Sequence, residues 1–364
     1  MSKILFVHNT VPEYRLEFWK FLNKKNDVEI YALSMDLADK IYNLEKNFGL
    51  LNIIYKKDIS IEDVLSNGYD VVILPSIDTC KELYISNVIL RLKKQYRYKT
   101  IYWSEKWEAS WADQPFFKKI KNLIHRMMIY LISSKCDLCV AAGTKSYEYL
   151  SMLGIKKEKI HIAIDSSTSP DSEKEINLRD VYDISDKKKV ILFMGRLISR
   201  KGCQDLILAF QHYLKSQDCV LLIAGDGPEY LNCTKFANED SRIILTGLVQ
   251  PGSRQLFYKR ADVFVLPSRC ERGIIEAWGL TVNEALECGV PVVVSDIVGA
   301  GYDIVDSYNG VVFSNGNIEQ LAKSIDYVIN NDYDKKAIMQ SYKRYSVEEM
   351  ANSFNEAVNI CIKC

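Results

Sequence analysis

Residues 262–312 constrain the fold more than any other stretch, because their punctuation admits few readings. Val263–Leu266 is a short apolar run stopped by Pro267, the pattern of a strand buried on both faces. A polar loop then leads to Gly279, Leu280 and Thr281, where a helical pattern begins. It ends near Gly289, and Pro291 blocks its continuation. Residues 292–294 are the next apolar run, and residues up to 312 read as a loop, a short helix and a further strand.

The same alternation recurs on both sides of a polar stretch. Apolar runs at 3–7, 28–33, 71–74, 100–103, 138–141 and 160–164 alternate with helical patterns such as 13–24. A second series follows at 190–194, 220–224 and 243–245, with helical patterns at 203–215, 317–330, 335–344 and 346–360. Such alternation predicts parallel sheets covered by helices, an α/β architecture. A length of 364 residues fits two domains. Residues 166–187 are polar and lack an apolar period, so the expected division is 1–165, a linker at 166–187, and 188–345. The helix at 346–364 is expected to pack back toward the first domain.

Hydrophobic residues at 48%, charged residues at 26% and zero net charge describe a globular protein and argue against a dedicated nucleic-acid partner. No apolar run approaches the roughly 20 residues that span a bilayer. The start, MSKILFVHNT, lacks the apolar stretch and cleavage site of a signal peptide, so a cytoplasmic location and reduced thiols for the ten cysteines are expected. Cys136/Cys139 and Cys361/Cys364 have CxxC spacing. A zinc site needs four good ligands together, so these read as core or chance cysteines, and no metal or cofactor is expected.

Ligands of parallel sheets bind at the carboxyl ends of the strands. Glu276 and Glu284 flank the loop-to-helix junction at Gly279, Leu280 and Thr281, where helix-start amides hold anions. Carboxylates accept from hydroxyls and amides donate to phosphate, the two needs of a sugar nucleotide. The alternative is a solvated helix Glu and a loop charge. Gly195-Arg196 closes one strand and Lys201-Gly202 opens a helix, two cations suited to a diphosphate or simply solvated. In the first half, His8 and Arg15 flank the loop after the first strand, and Glu105 lies among aromatics in YWSEKWEASW. An Arg there suits a phosphate or carboxylate, and Glu105 suits an acceptor hydroxyl or a surface position.

Residues 81–135 are basic. Lys118, Lys119, Lys121 and Arg126 accompany Phe116, Phe117, Ile120, Leu123, Ile124, Met127 and Met128. The pattern predicts either contact with an anionic membrane surface or an ordinary helix with one solvated face.

FMGRLISRKG, IAGDGPE, ILTGLV, VLPS, the E-x7-E pair Glu276…Glu284 and ECGVPVVVSDIVGAGYDIV with NGVVF resemble, in order and spacing, the retaining family-4 glycosyltransferases of the GT-B fold. VPEYRLEFW and AAGTKSYEYLSMLGI look like members acting on polysaccharide or lipid-linked acceptors. The resemblance implies two Rossmann-like doubly wound domains facing a central cleft, and a metal-independent, retaining hexosyl transfer in surface polysaccharide or glycoconjugate synthesis, peripheral to the membrane. Catalysis would fall to Glu276, Arg196 and Lys201. Donor binding would draw on Gly195, Arg196, Lys201, Gly225, Leu248, Val249, Glu276, Gly279, Leu280, Thr281 and Glu284. Arg196 and Lys201 would hold the diphosphate, Glu284 the ribose hydroxyls, Glu276 the sugar hydroxyls and the Leu248-Val249 backbone the base. The acceptor side would involve His8, Arg15 and Glu105. Two departures stand out: HNTVPEYR replaces a glycine-rich first loop, and Glu105 lies in the region comparable to that where many relatives carry a histidine near the reacting sugar. The rival readings are a sugar-nucleotide epimerase of similar architecture and a non-catalytic nucleotide-sugar-binding subunit.

Overall fold

The computed structural model describes residues 1–34, 51–169, 177–214 and 218–363. The chain divides into two compact units. Unit 1 comprises Met1–Trp107, Pro115–Ser167 and Val347–Cys364, and unit 2 comprises Glu108–Gln114 and Thr168–Ser346.

Unit 1 holds a seven-stranded parallel sheet. Its strands are β1 (Lys3–His8), β2 (Asp27–Ala32), β3 (Asn52–Tyr55), β4 (Val71–Leu74), β5 (Lys99–Ser104), β6 (Leu138–Ala141) and β7 (Ile160–Ile162), in the order β3-β2-β1-β4-β5-β6-β7. The order runs outward in both directions from β1 and β4, the doubly wound pattern. Its helices are α1 (Glu13–Asn23), α2 (Ile61–Leu65), α3 (Cys80–Tyr96), α4 (Phe116–Ser133) and α5 (Thr144–Met152). α3 starts at a capping box in which Thr79 and Glu82 satisfy each other's backbone amides.

Unit 2 holds a six-stranded parallel sheet. Its strands are β8 (Lys189–Met194), β9 (Cys219–Ala224), β10 (Ile243–Gly247), β11 (Val263–Leu266), β12 (Val292–Ser295) and β13 (Gly310–Phe313), in the order β10-β9-β8-β11-β12-β13. The helices are α6 (Leu178–Val181), α7 (Cys203–Tyr213), α8 (Tyr230–Ala237), α9 (Arg254–Arg260), α10 (Leu280–Glu287), α11 (Ile318–Asn330) and α12 (Lys335–Tyr342). Every residue of β9, β11 and β12 is buried, which is why these strands read as unbroken apolar runs.

The chain then returns to unit 1 as α13 (Val347–Lys363), which packs on α1 and places Met350, Phe354, Val358 and Cys361 in the core beside Phe6, Phe18 and Trp103. Phe354 meets Phe18 and Trp103 edge-on at 4.9 and 5.5 Å between ring centres. Within the polar 166–187 segment, α6 is started by the Asn177 side chain capping Arg179, while residues 170–176 lie outside the described residues. Glu108–Gln114 clusters with unit 2 although both flanks belong to unit 1.

Candidate functional site

The carboxyl ends of β10, β9, β8 and β11 are neighbours along one edge of the unit 2 sheet. Their loops are laced together. The Gly225 amide donates to the Gly247 carbonyl at 2.9 Å, and the Leu197 amide donates to Asp226 at 2.8 Å. A Cβ on Gly225 would lie 1.9 Å from the Gly195 carbonyl oxygen, so this approach needs glycine. Gly195, Arg196, Gly225, Leu248 and Val249 therefore share this edge. Arg196 is exposed and makes no ion pair among the described residues.

The loop after β11 supplies the rest. Glu276 forms a parallel bridge with Val298, and its carbonyl accepts from the Gly299 amide at 3.2 Å, so the segment is held by the turn after β12. Lys201 Nζ and Arg200 Nη1 reach Glu276 Oε2 at 2.8 and 2.7 Å. Arg200 also donates to the Ile275 carbonyl at 3.2 Å, and its own carbonyl accepts from the Arg269 amide at 2.7 Å. Burial opposes ionisation of Glu276, but the Lys201 and Arg200 cations outweigh it and lower the carboxyl below its ordinary range. Glu276 is thus an anion whose charge is matched inside the protein.

Gly279 caps α10 with φ of 100°, a left-handed conformation that L side chains rarely adopt. It turns the chain so that the Leu280 and Thr281 amides open the helix next to Glu276. The Thr281 hydroxyl is buried and has no hydrogen-bond partner among the described residues. Glu284, one turn further on, is only 3% exposed, which removes the solvated-residue reading. Tyr258 Oη donates to its Oε2 at 2.8 Å, and Arg254 Nη1 lies 3.6 Å from Oε1. Sequence reasoning missed Arg200, Arg254 and Tyr258. Arg200 was adjacent to Lys201 in LISRKG, whereas nothing local marked the other two.

Unit 1 carries its own cluster at the ends of β1 and β5. Arg15 is fully buried and forks onto Asp165, with Nη2 2.8 Å from Oδ2 and Nη1 on Oδ1. Nη2 also donates to Glu105 Oε1 at 2.7 Å, and the guanidinium sits 4.6 Å from the Trp103 ring centre. His8 lies edge-on to Trp19 at 5.5 Å, with Nδ1 2.7 Å from the Thr10 carbonyl oxygen. Burial, and then the Arg15 charge, lower His8 to about 4, so it is neutral at physiological pH. The structure therefore brings His8, Arg15 and Glu105 into one neighbourhood. Arg15 is held by carboxylates of its own chain, the buried Asp165 and the half-buried Glu105. Burial, followed by the Asp165 charge, raises the Glu105 carboxyl.

Cys136 and Cys139 are buried free thiols, and Cys364 lies outside the described residues. Among the described residues no group of three or more His, Cys, Asp or Glu is placed to hold a metal ion. No described helix is long and apolar enough to cross a membrane.

Residues 174–345 match the model of the family described as glycosyl transferases group 1. An uncharacterized glycosyltransferase of Methanocaldococcus jannaschii is 28% identical over 253 residues, 65% of this chain and 62% of that protein. The alpha-monoglucosyldiacylglycerol synthase of Streptococcus pneumoniae is 38% identical over 121 residues, 32% of this chain and 26% of that one. The chain thus spans less than two thirds of the length of these curated relatives. The crystal structure of Anabaena HepE in complex with UDP and glucose superposes with a TM-score of 0.72 at 17% identity, covering 99% of this chain and 100% of that one. The fold is that of GT-B glycosyltransferases, and residues 174–345, just under half of the chain, are similar to the glycosyl transferases group 1 family.

Proposed function

We propose that unit 2 binds a nucleotide-sugar donor and that the chain transfers the sugar, with retention and without a metal ion, to a glycan or lipid-linked acceptor. The observation that carries this reading is the pairing of Glu276 with Lys201 beside the start of α10, with Glu284 one turn away, on a shared sheet edge. Lys201 and Arg196 neutralise the diphosphate as it leaves, and the helix-start amides add donors without reorganising. Glu276 takes sugar hydroxyls, Glu284 takes the ribose, and the orphaned Thr281 hydroxyl gains a partner in the bound donor. The leaving phosphate accepts the acceptor's proton on the same face, so no carboxylate nucleophile is required, in contrast to most retaining hydrolases. The HepE structure, named for its UDP and glucose, supports a nucleotide donor.

The test is incubation with UDP-, GDP- and ADP-sugars and a panel of saccharide and lipid-linked acceptors, with and without EDTA, followed by NMR of the new anomeric centre. The expected product keeps the donor's anomeric configuration, and EDTA leaves the rate unchanged. Inversion would refute retention. A rearranged sugar formed from donor alone would identify an epimerase instead.

The acceptor side of the proposal includes an anionic membrane on the cytoplasmic face. On α4, Phe116 and Phe117 are 70% and 83% exposed, and Ile120, Leu123, Ile124, Met127 and Leu131 continue the exposed stripe at helical spacing. Lys118, Lys119, Lys121 and Arg126 flank it, so one face offers apolar area and cations together. The streptococcal relative, named as a glucosyldiacylglycerol synthase, fits an acceptor held in lipid. The protein is expected to co-sediment with phosphatidylglycerol vesicles at low salt, and Phe116→Ser with Phe117→Ser to weaken that binding by about tenfold or more. Equal binding to neutral vesicles, or none at low salt, refutes the membrane assignment.

A further inference from the structure

Glu284 depends on one helix for its setting. α9 carries Arg254 and Tyr258 four residues apart, on one face. Tyr258 is fully buried, and its ring stands edge-on to Phe264 of β11 at 5.6 Å between centres, which fixes where its hydroxyl lies. That hydroxyl donates to Glu284 Oε2 at 2.8 Å. Arg254 Nη1, at 3.6 Å from Oε1, is too far for a hydrogen bond but close enough to act by charge. Burial and the Glu284 charge hold the Tyr258 phenol well above its ordinary range, so it stays a donor at any physiological pH. The last torsion of a glutamate side chain is broad, and nothing intrinsic selects one carboxylate plane. The Tyr258 hydroxyl, held in place by its buried ring, is a fixed donor that favours one plane, and a carboxylate oxygen can accept more than one hydrogen bond.

We propose that Tyr258, assisted by the Arg254 charge, is a positioning residue that aims the Glu284 carboxylate at the donor's ribose, so that the site selects ribonucleotides over deoxyribonucleotides through α9. The inference rests on the reading of Glu284 as the ribose acceptor. Tyr258 does not touch the ligand, and its effect is on the orientation of a group that does.

The experiment is calorimetric binding of UDP or GDP, whichever the wild type binds, against its 2′,3′-dideoxy counterpart. Wild type is expected to prefer the ribonucleotide by about tenfold or more, since hydrogen bonds to a charged group are lost with the diol. Tyr258→Phe keeps the ring packing and removes only the donor. It is expected to shrink the preference to about twofold while leaving dideoxynucleotide affinity unchanged. Arg254→Gln, at a half-buried position outside the core, is expected to shrink it by about threefold, with the difference fading as salt rises. A Tyr258→Phe protein that folds and keeps the full preference overturns the proposal. If that variant does not fold, an Arg254→Gln protein with an unaltered preference overturns it instead. A wild type without ribose preference overturns the Glu284 assignment as well, which separates the two failures.

Discussion

Glu276→Gln is expected to bind a nucleoside diphosphate more tightly than wild type while losing nearly all transfer. The two effects have one origin. Glu276 Oε2 lies 2.7 and 2.8 Å from Arg200 and Lys201, so the carboxylate already neutralises the cations that a diphosphate would use. A bound diphosphate competes with Glu276 for Lys201 and also meets its negative charge. Removing that charge frees the ammonium, and an affinity gain of about tenfold is expected, equivalent to about 1.4 kcal/mol. Transfer requires the carboxylate to grip the sugar hydroxyls, and its loss is expected to cut kcat by about 100-fold or more. Calorimetry with UDP and GDP and transfer rates on the same preparations decide the matter. A variant whose diphosphate affinity and turnover fall together would show that Glu276 contacts the diphosphate side cooperatively, and the counter-charge account would be wrong.

The second large effect concerns stability. Arg15 and Asp165 are both fully buried, 150 residues apart in sequence, and joined by two N–H···O contacts. Arg15→Met leaves the Asp165 carboxylate in the interior without its guanidinium partner, although the Ser166 amide still donates to it at 2.8 Å. Breaking a buried pair from one side costs about 3–5 kcal/mol. Glu105 loses its anchor at the same time. Arg15→Met is therefore expected to lower the melting temperature of unit 1 by several degrees, on the order of 4 °C per kcal/mol or less for a domain of this size. The double variant with Asp165→Leu is expected to recover most of the loss, because it removes the stranded charge. Differential scanning calorimetry of the three proteins tests this. A double variant as unstable as the single one would show that the charge itself is not what the fold depends on.

Much of the architecture was legible because parallel sheets bury both faces of their strands. β8, β9, β11 and β12 appear in the sequence as continuous apolar runs, and Pro267 and Pro291 mark where two loops begin and end. β3 escaped notice. Its four residues NIIY sit at the sheet edge, none is fully buried, and two lysines follow, so there was neither length nor period to detect. The donor-side residues were legible as types at strand ends, but their partners were not. Glu284 was legible as a candidate carboxylate, but not the setting that Tyr258 and Arg254, 26 and 30 residues earlier, give it. Arg200 was not singled out because its distinguishing contact is with Ile275 and Glu276, far along the chain. Arg15 was read as a ligand for an external anion, and the anions it holds are Asp165 and Glu105. A sequence shows that a charged group is present near a strand end; only the folded chain shows whether another residue has already answered it.

The return of α13 to unit 1 bears on how the molecule is made. Phe354, Met350 and Val358 complete a core begun by Phe6 and Phe18, yet they leave the ribosome only after all of unit 2 has been synthesised. During translation the first sheet must wait, with part of its apolar face uncovered, while the second sheet has every strand it needs. Unit 2 is therefore placed to mature first, and the earlier-born unit to finish last.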